Sequence, residues 1–197
     1  MKGKANMAEE DRKRWNQKYL ERDIRLKPSA TVKKFYNLAP RGRALDLACG
    51  RGRNAVFLAE QGFATDAVDV SDTAIAHLSG KHPRVHPVRG DLDFYEIPEN
   101  TYDLIINIRY LNRRLFPYIK EGLKSGGLLI FESFLEFDPG HEKEKSFSVS
   151  CRDYLLRSNE LLHAFLSLRI LCYEEKDAES DRGPARIATL IGRKNYV

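Results

Sequence analysis

A chain of 197 residues, 42% of them hydrophobic, is the size of one compact domain, with apolar side chains for one substantial core. Its longest apolar runs, such as 127–131, fall far short of the roughly 18 to 20 residues that cross a bilayer, and the charged start lacks a signal-peptide apolar region, which predicts a cytoplasmic protein with no membrane partner. The formal net charge of +5 favours approach to nucleic acid, but acidic residues are interspersed with basic ones nearly everywhere, so nucleic acid is not the expected partner.

In chain order, a first helix over 8–21 carries Trp15, Tyr19 and Leu20 on or near one side, and a linker at Pro28 leads to a short helix over 31–38 that Pro40 and Gly42 close. Residues 44–48 form a short apolar strand ending at Cys49-Gly50. A helix over 53–61 follows, with Ala55, Leu58 and Ala59 on one face and Gly62 as its stop. The pattern repeats: a strand over 64–70, then Ser71 as N-cap of a helix through Ile75 and Leu78 that stops at Gly80. Residues 85–89 make the third strand and 102–108 the fourth. A helix over 113–124 spaces Leu115, Ile119 and Leu123 four apart, and Gly126-Gly127 opens a fifth strand over 128–133.

Beyond a polar loop over 136–150, Ser158 is placed to cap a helix with Leu161, Phe165 and Leu168 on one face, and two last strands over 169–175 and 186–192 have no helix between them. Disorder is expected only in the first several residues and in a loop around 177–184. Seven strands in this alternation predict an α/β fold: a doubly wound, mainly parallel sheet with helices on both faces and a C-terminal antiparallel hairpin. Cys49, Cys151 and Cys172 are odd in number, widely spaced and in or beside apolar segments, which suggests neither a disulfide framework nor a metal site.

In such sheets ligands sit beyond the carboxyl ends of the strands where strand order reverses. The first strand ends in Asp46-Leu47-Ala48-Cys49-Gly50-Arg51-Gly52-Arg53-Asn54, which places a carboxylate, a glycine turn and a helix N-terminus together. The carboxylate suits an ammonium group and the helix amides suit a carboxylate, so the combination suits an amino acid moiety. Gly50-x-Gly52-x-x-Ala55 also fits a dinucleotide fingerprint, and structural glycines in a tight turn are common. The second strand ends in Asp69-Val70, with the acid 17 positions after Gly52, where it can accept hydrogen bonds from ribose hydroxyls. The third ends in Gly90-Asp91-Leu92, an acceptor for an exocyclic amine beside an apolar surface, or simply a turn.

Three acids at the ends of three consecutive strands, with a glycine loop after the first, resemble the class I S-adenosylmethionine-dependent methyltransferases, whose glycine-rich motif matches 44–52. The resemblance runs from about Trp15 to Arg193 and implies a Rossmann-like fold with S-adenosyl-L-methionine as cofactor. It implies a cofactor-binding set of Tyr19, Asp46, Ala48, Gly50, Arg51, Gly52, Asn54, Asp69, Val70, Asp91, Leu92 and Asn107. Within that set Asp46 and the glycine loop would hold the methionine end, Asp69 the ribose and Asp91 the adenine. It further implies a single methyltransferase domain over 1–197 whose segment 1–40 is a helical lid.

Trp15-Asn16-Gln17-Lys18-Tyr19, Gly52-Arg53-Asn54, Gly126-Gly127-Leu128-Leu129-Ile130 and the closing 188–194 are similar to the small tellurite-resistance-type methyltransferases. Those enzymes carry a His-Arg pair near strand six, whereas 173–182 here has no histidine, which argues against tellurite or selenite as acceptor. The acceptor is expected to be a small molecule, and a catalytic base is optional, because the cofactor's sulfonium already makes its methyl electrophilic. Arg109 and Tyr110 after strand four and His141 after strand five are the catalytic candidates. Arg109 would clamp an anionic acceptor or form a surface ion pair. The alternatives are an RNA methyltransferase, supported by the local basic group Arg109, Arg113 and Arg114, a nicotinamide-dependent oxidoreductase, or a non-catalytic binding module. Asp46 opposes the oxidoreductase, since an acid there would repel a pyrophosphate.

Overall fold

The computed structural model describes residues 2–21, 27–137, 154–180 and 183–196. Helix α1 (Lys2–Glu21) leads to α2 (Ala30–Phe35) and a 3-10 turn (Tyr36–Leu38), followed by β1 (Arg43–Leu47), α3 (Arg53–Glu60), β2 (Ala64–Asp69) and α4 (Asp72–Leu78). Then come β3 (Val85–Arg89), β4 (Tyr102–Ile108), α5 (Leu115–Gly122), β5 (Leu123–Leu135), α6 (Glu160–Ala164), β6 (Arg169–Ser180) and β7 (Gly183–Arg193). The strands form one seven-stranded sheet in the order β3-β2-β1-β4-β5-β7-β6. Strands β1 to β5 pair in parallel, and β7 runs antiparallel to both β5 and β6.

Apolar runs dictate this layering. Ala44–Leu47 and 104–108 are buried throughout, because strands covered on both faces have no solvent side to alternate toward. One face packs Leu45, Leu47, Ile105 and Phe131 under α5 and α6 through Leu115, Ile119, Leu161 and Phe165. The other packs Ala44, Leu104, Ile106 and Ile130 against Val32 of α2 and Leu58 of α3. Strand order reverses between β1 and β4, so the crevice at their carboxyl ends is where a ligand belongs.

Four boundaries differ from expectation. The first helix begins at Lys2, well before residue 8. Helix α5 is confined to 115–122, because strand β5 already starts at Leu123, which pairs with Tyr102. Ser158 does not cap α6: its hydroxyl donates to Glu175 Oε2 at 2.8 Å, and Asn159, in a left-handed conformation, precedes the helix and donates its amide to Glu175 Oε1 at 2.6 Å. Of the stretch expected as a loop around 177–184, residues 177–180 and 183–184 belong to the hairpin, with Asp177 opposite Arg186 and Ser180 opposite Gly183, and 181–182 lie outside the described residues. Among the described residues no helix is long and apolar enough to cross a membrane, and no group of three or more His, Cys, Asp or Glu side chains is placed to hold a metal. Cys49 is buried and Cys172 half-buried; both are free thiols.

Candidate active site

The turn after β1 is built from consecutive special conformations. Ala48, Gly50 and Gly52 have φ of 53°, 55° and 76°, the region that L side chains enter only at a cost. The turn is tied down by Cys49 N–H on Val68 O at 3.0 Å and Gly52 N–H on Cys49 O at 3.0 Å. A side chain at Gly50 would meet Tyr19 Oη at 2.8 Å, and one at Gly52 would run into Leu78 Cδ1 at 2.2 Å. Both positions therefore need glycine for contact as well as for conformation.

Asp69, at the end of β2, faces this turn. Its Oδ2 accepts from Gly50 N–H at 2.8 Å and its Oδ1 from Ser71 N–H at 2.9 Å. Burial raises its pKa, and the Ser71, Gly50 and Val70 amides work in the opposite direction. Asp46 is fully buried on β1, and its Oδ2 has no hydrogen-bond partner. Burial pushes its pKa up to about 8; the Arg53 charge pulls it down, the Asp69 charge pushes it up and the Ala55 amide pulls it down. An orphaned carboxylate is costly unless something charged or polar meets it. Asp46, Gly50, Asp69 and the Tyr19 hydroxyl thus converge on one turn.

Helix α1 lies over that turn. Tyr19 is buried and stacks on Trp15 with ring centroids 5.7 Å apart. Burial, with the charge of Asp69 next, drives its phenol pKa up, so it is a neutral hydroxyl. The Arg51 guanidinium donates to Tyr19 O through one terminal nitrogen, while its buried Nε has no hydrogen-bond partner. Asn16 is a contact that sequence reasoning missed: its Oδ1 accepts from Ser71 Oγ at 2.6 Å and Thr73 N–H at 3.3 Å, and Arg12 pairs with Asp72 at 2.7 Å. Asn16 stands in the quoted Trp15–Tyr19 motif, but its partners lie more than fifty residues away.

The other expected cofactor residues are distributed as follows. Asn54 is buried and turns Oδ1 to Ser29 N–H at 2.8 Å, which moors the start of α2 to α3. Val70 is half-buried beside Asp69, and Leu92 is buried. Asp91 Oδ1 accepts from Asp93 N–H at 2.9 Å, so this acid shapes its own turn. Asn107, opposite Leu47 of β1, donates to Tyr110 O at 2.8 Å and keeps a buried Oδ1 without a partner.

Of the catalytic candidates, Tyr110 has its phenol pushed up to about 12 by burial, with the Asn112 hydrogen bond opposing. His141 lies outside the described residues. Arg109 makes the ion pair, its Nε 3.5 Å from Glu132 Oε1. Glu132 was missed, although a lone acid inside the apolar run 128–135 is a visible signal of a buried polar contact. The basic group is used internally: Arg113 binds Glu160 and Leu155 O, and Arg114 binds Leu92 O and Tyr95 O at 3.2 and 2.9 Å. Two of the three arginines in that group are thus committed to partners within the chain.

Residues 44–127, which run from β1 through the start of β5, match the family model described as a methyltransferase domain. A probable S-adenosylmethionine-dependent methyltransferase of Mycobacterium tuberculosis is 28% identical over 118 residues, 55% of this chain and 43% of that protein. TehB of Haemophilus influenzae, named a probable S-adenosyl-L-methionine-dependent methyltransferase, is 25% identical over 173 residues, 77% of this chain and 57% of TehB. The chain thus spans about half the length of the curated relatives it matches. The crystal structure of H. influenzae TehB superposes with a TM-score of 0.69 at 23% identity, covering 92% of this chain and 66% of that one. The cyclase SpnF shares the fold at a TM-score of 0.66 and 18% identity, covering 85% of this chain and 79% of SpnF, a reminder that fold does not fix reaction. Across 44–127 the sequence is similar to a methyltransferase domain, and across the sheet the fold is that of TehB and SpnF.

Proposed function

We propose that this protein is a cytoplasmic enzyme that transfers the methyl group of S-adenosylmethionine to a small-molecule acceptor by in-line displacement, and that 1–197 act as one methyltransferase domain with 1–40 as its lid. The observation that carries the reading is the partnerless buried oxygen of Asp46 beside the left-handed turn at Gly50 and Gly52. A site of this kind fits an ammonium group next to a close-approaching backbone. A pyrophosphate in the same place would make ionisation of Asp46 costlier still, whereas an ammonium eases it.

When bound, S-adenosylmethionine supplies an electrophilic methyl group on a sulfonium. The chain's own residues bind, orient and exclude water. Asp46 takes the ammonium of the methionine end, with Ala48, Gly50, Arg51 and Gly52 around it and the Tyr19 hydroxyl above. Asp69 keeps the loop in place through the Gly50 amide and offers its remaining lone pairs to the ribose. Val70, Asp91 and Leu92 form the adenine end, and Asn107 offers its unused oxygen from the neighbouring strand. Asn54 supports the site indirectly, by anchoring α2. Tyr110, with its phenol near 12, serves as a hydroxyl donor at neutral pH and not as a base. A water or His141 would then remove any acceptor proton.

Calorimetric titration of the purified protein with S-adenosylmethionine and S-adenosylhomocysteine, each against a reduced nicotinamide dinucleotide, tests the proposal. Saturable binding of the first two alone is expected. Preference for the dinucleotide, or no binding at all, would mean that the glycine loop serves another ligand.

A further inference from the structure

We propose that Arg109 is the anion-binding residue of an acceptor site at the carboxyl end of β4, and that the acceptor it takes is a small carboxylate; this rests on the methyltransferase reading above. Arg109 is the first residue past β4 and has φ of 61°, a left-handed conformation that a non-glycine residue adopts only at a cost. Its amide donates to Glu132 O at 2.6 Å, which holds it there. Strain of this kind persists where the surroundings fix a side chain for use.

The side chain is fixed as well. Nε lies 3.5 Å from Glu132 Oε1, and the guanidinium sits over the Phe134 ring at 5.4 Å from its centroid. Glu132 cannot swing away, because it is buried and its other oxygen accepts from the Thr31 hydroxyl. Among the described residues neither terminal nitrogen of Arg109 has a hydrogen-bond partner, and the side chain is 36% exposed. Arg113 and Arg114 differ: their terminal nitrogens bind Glu160, Leu155 O, Leu92 O and Tyr95 O. A guanidinium clamped through Nε, stacked on a ring and open at its two amino groups is prepared for a planar two-oxygen partner.

The choice of carboxylate over phosphate follows from Glu132. Glu132 cancels part of the guanidinium charge, so the second negative charge of a dianion would face the Glu132 carboxylate uncompensated, whereas a single charge is matched by the guanidinium. Arg109 stands two residues beyond Asn107, which is opposite Leu47 just before the glycine turn. A carboxylate held there brings the rest of the acceptor beside the cofactor site.

The test is modification of the wild-type protein by phenylglyoxal, with the Arg109 adduct followed by peptide mass, with and without saturating S-adenosylhomocysteine. Benzoate is expected to slow modification of Arg109 roughly fivefold at about four times its Kd, because only the free fraction reacts. Benzamide, of the same shape without the charge, and phenyl phosphate should protect far less. Equal protection by benzamide, stronger protection by phenyl phosphate, or no protection by benzoate would overturn the proposal. So would full protection by S-adenosylhomocysteine alone, which would assign the guanidinium to the cofactor's own carboxylate. If calorimetry finds no binding of S-adenosylhomocysteine, the methyltransferase reading fails; protection of Arg109 by benzoate in the protein alone would still report the anion site.

Discussion

Two aspartates with the same side chain hold opposite positions in the energetics of the site. Asp69 is satisfied by two backbone amides, whereas Asp46 keeps an oxygen bare. Asp69→Ala removes the proposed ribose acceptor and strands the Gly50 amide, so S-adenosylhomocysteine affinity should fall roughly ten- to hundredfold, the value of one charge-assisted hydrogen bond. Circular dichroism should show the fold retained; wild-type affinity in calorimetry would remove Asp69 from the site. For Asp46 the sign is fixed by burial. With its folded pKa raised to about 8, the folded state carries a proton that the unfolded chain has already lost. The contribution of Asp46 to stability is therefore full below about pH 4 and is lost as pH rises through about 8. A ligand ammonium stabilises the ionised form and offsets that loss. The rise in Tm on adding S-adenosylhomocysteine should grow between about pH 6 and about pH 8, and Asp46→Asn should flatten the dependence. A flat profile in the wild type would show that no ammonium meets Asp46.

At the scale of elements, α1 differs from the rest because it is polar nearly all round, and a helix without an apolar stripe contributes little to a core. Among the described residues α1 is held by polar contacts from Arg12 and Asn16 to the start of α4, by the Arg51 guanidinium on Tyr19 O and by the Tyr19 ring. Deleting residues before Lys27 should leave the sheet folded, with Tm little changed, while affinity for S-adenosylhomocysteine falls several-fold; unchanged affinity would show that α1 is not a lid. The sequence made β1 to β5 and the closing hairpin legible, because buried runs such as 102–108 are bounded by turn residues and nothing helical separates 175 from 186. It also made Asp46, Gly50 and Asp69 legible, since their chemistry lies in a local pattern of strand end and turn. Contacts between distant segments were not legible. Thr31 and Glu132 are 101 positions apart, Asn54 reaches back to Ser29, and Glu175 takes over the Ser158 hydroxyl from across the hairpin. A propensity rule sees Ser158 as a cap; only the fold reveals the carboxylate that competes for it.

For the molecule as a whole, the sheet has a protected middle and two unequal borders. Strands β1 and β4 are covered on both faces, β3 exposes His86 and Arg89 at one border, and β6 presents Glu174 and Lys176 at the other. Amide hydrogen exchange should be slowest in β1, β4 and β5 and faster in β3 and the far half of β6. Addition of S-adenosylhomocysteine should slow exchange at 48–52 and 69–71 and leave β6 unchanged; protection on the β6 side instead would move the site. The charged side chains on β6 also discourage pairing with another chain at that border. Strand β7 carries a different consequence, because it is wedged between two strands made before it. During synthesis β5 is complete long before its antiparallel neighbour leaves the ribosome, an interval of several seconds at about 5–20 residues per second. Over that interval β5 has an open flank that β6 cannot fill by itself. The nascent chain therefore cannot close its sheet in the order in which it is made, and a ribosome stalled between 135 and 183 would display an apolar strand edge as a substrate for chaperones.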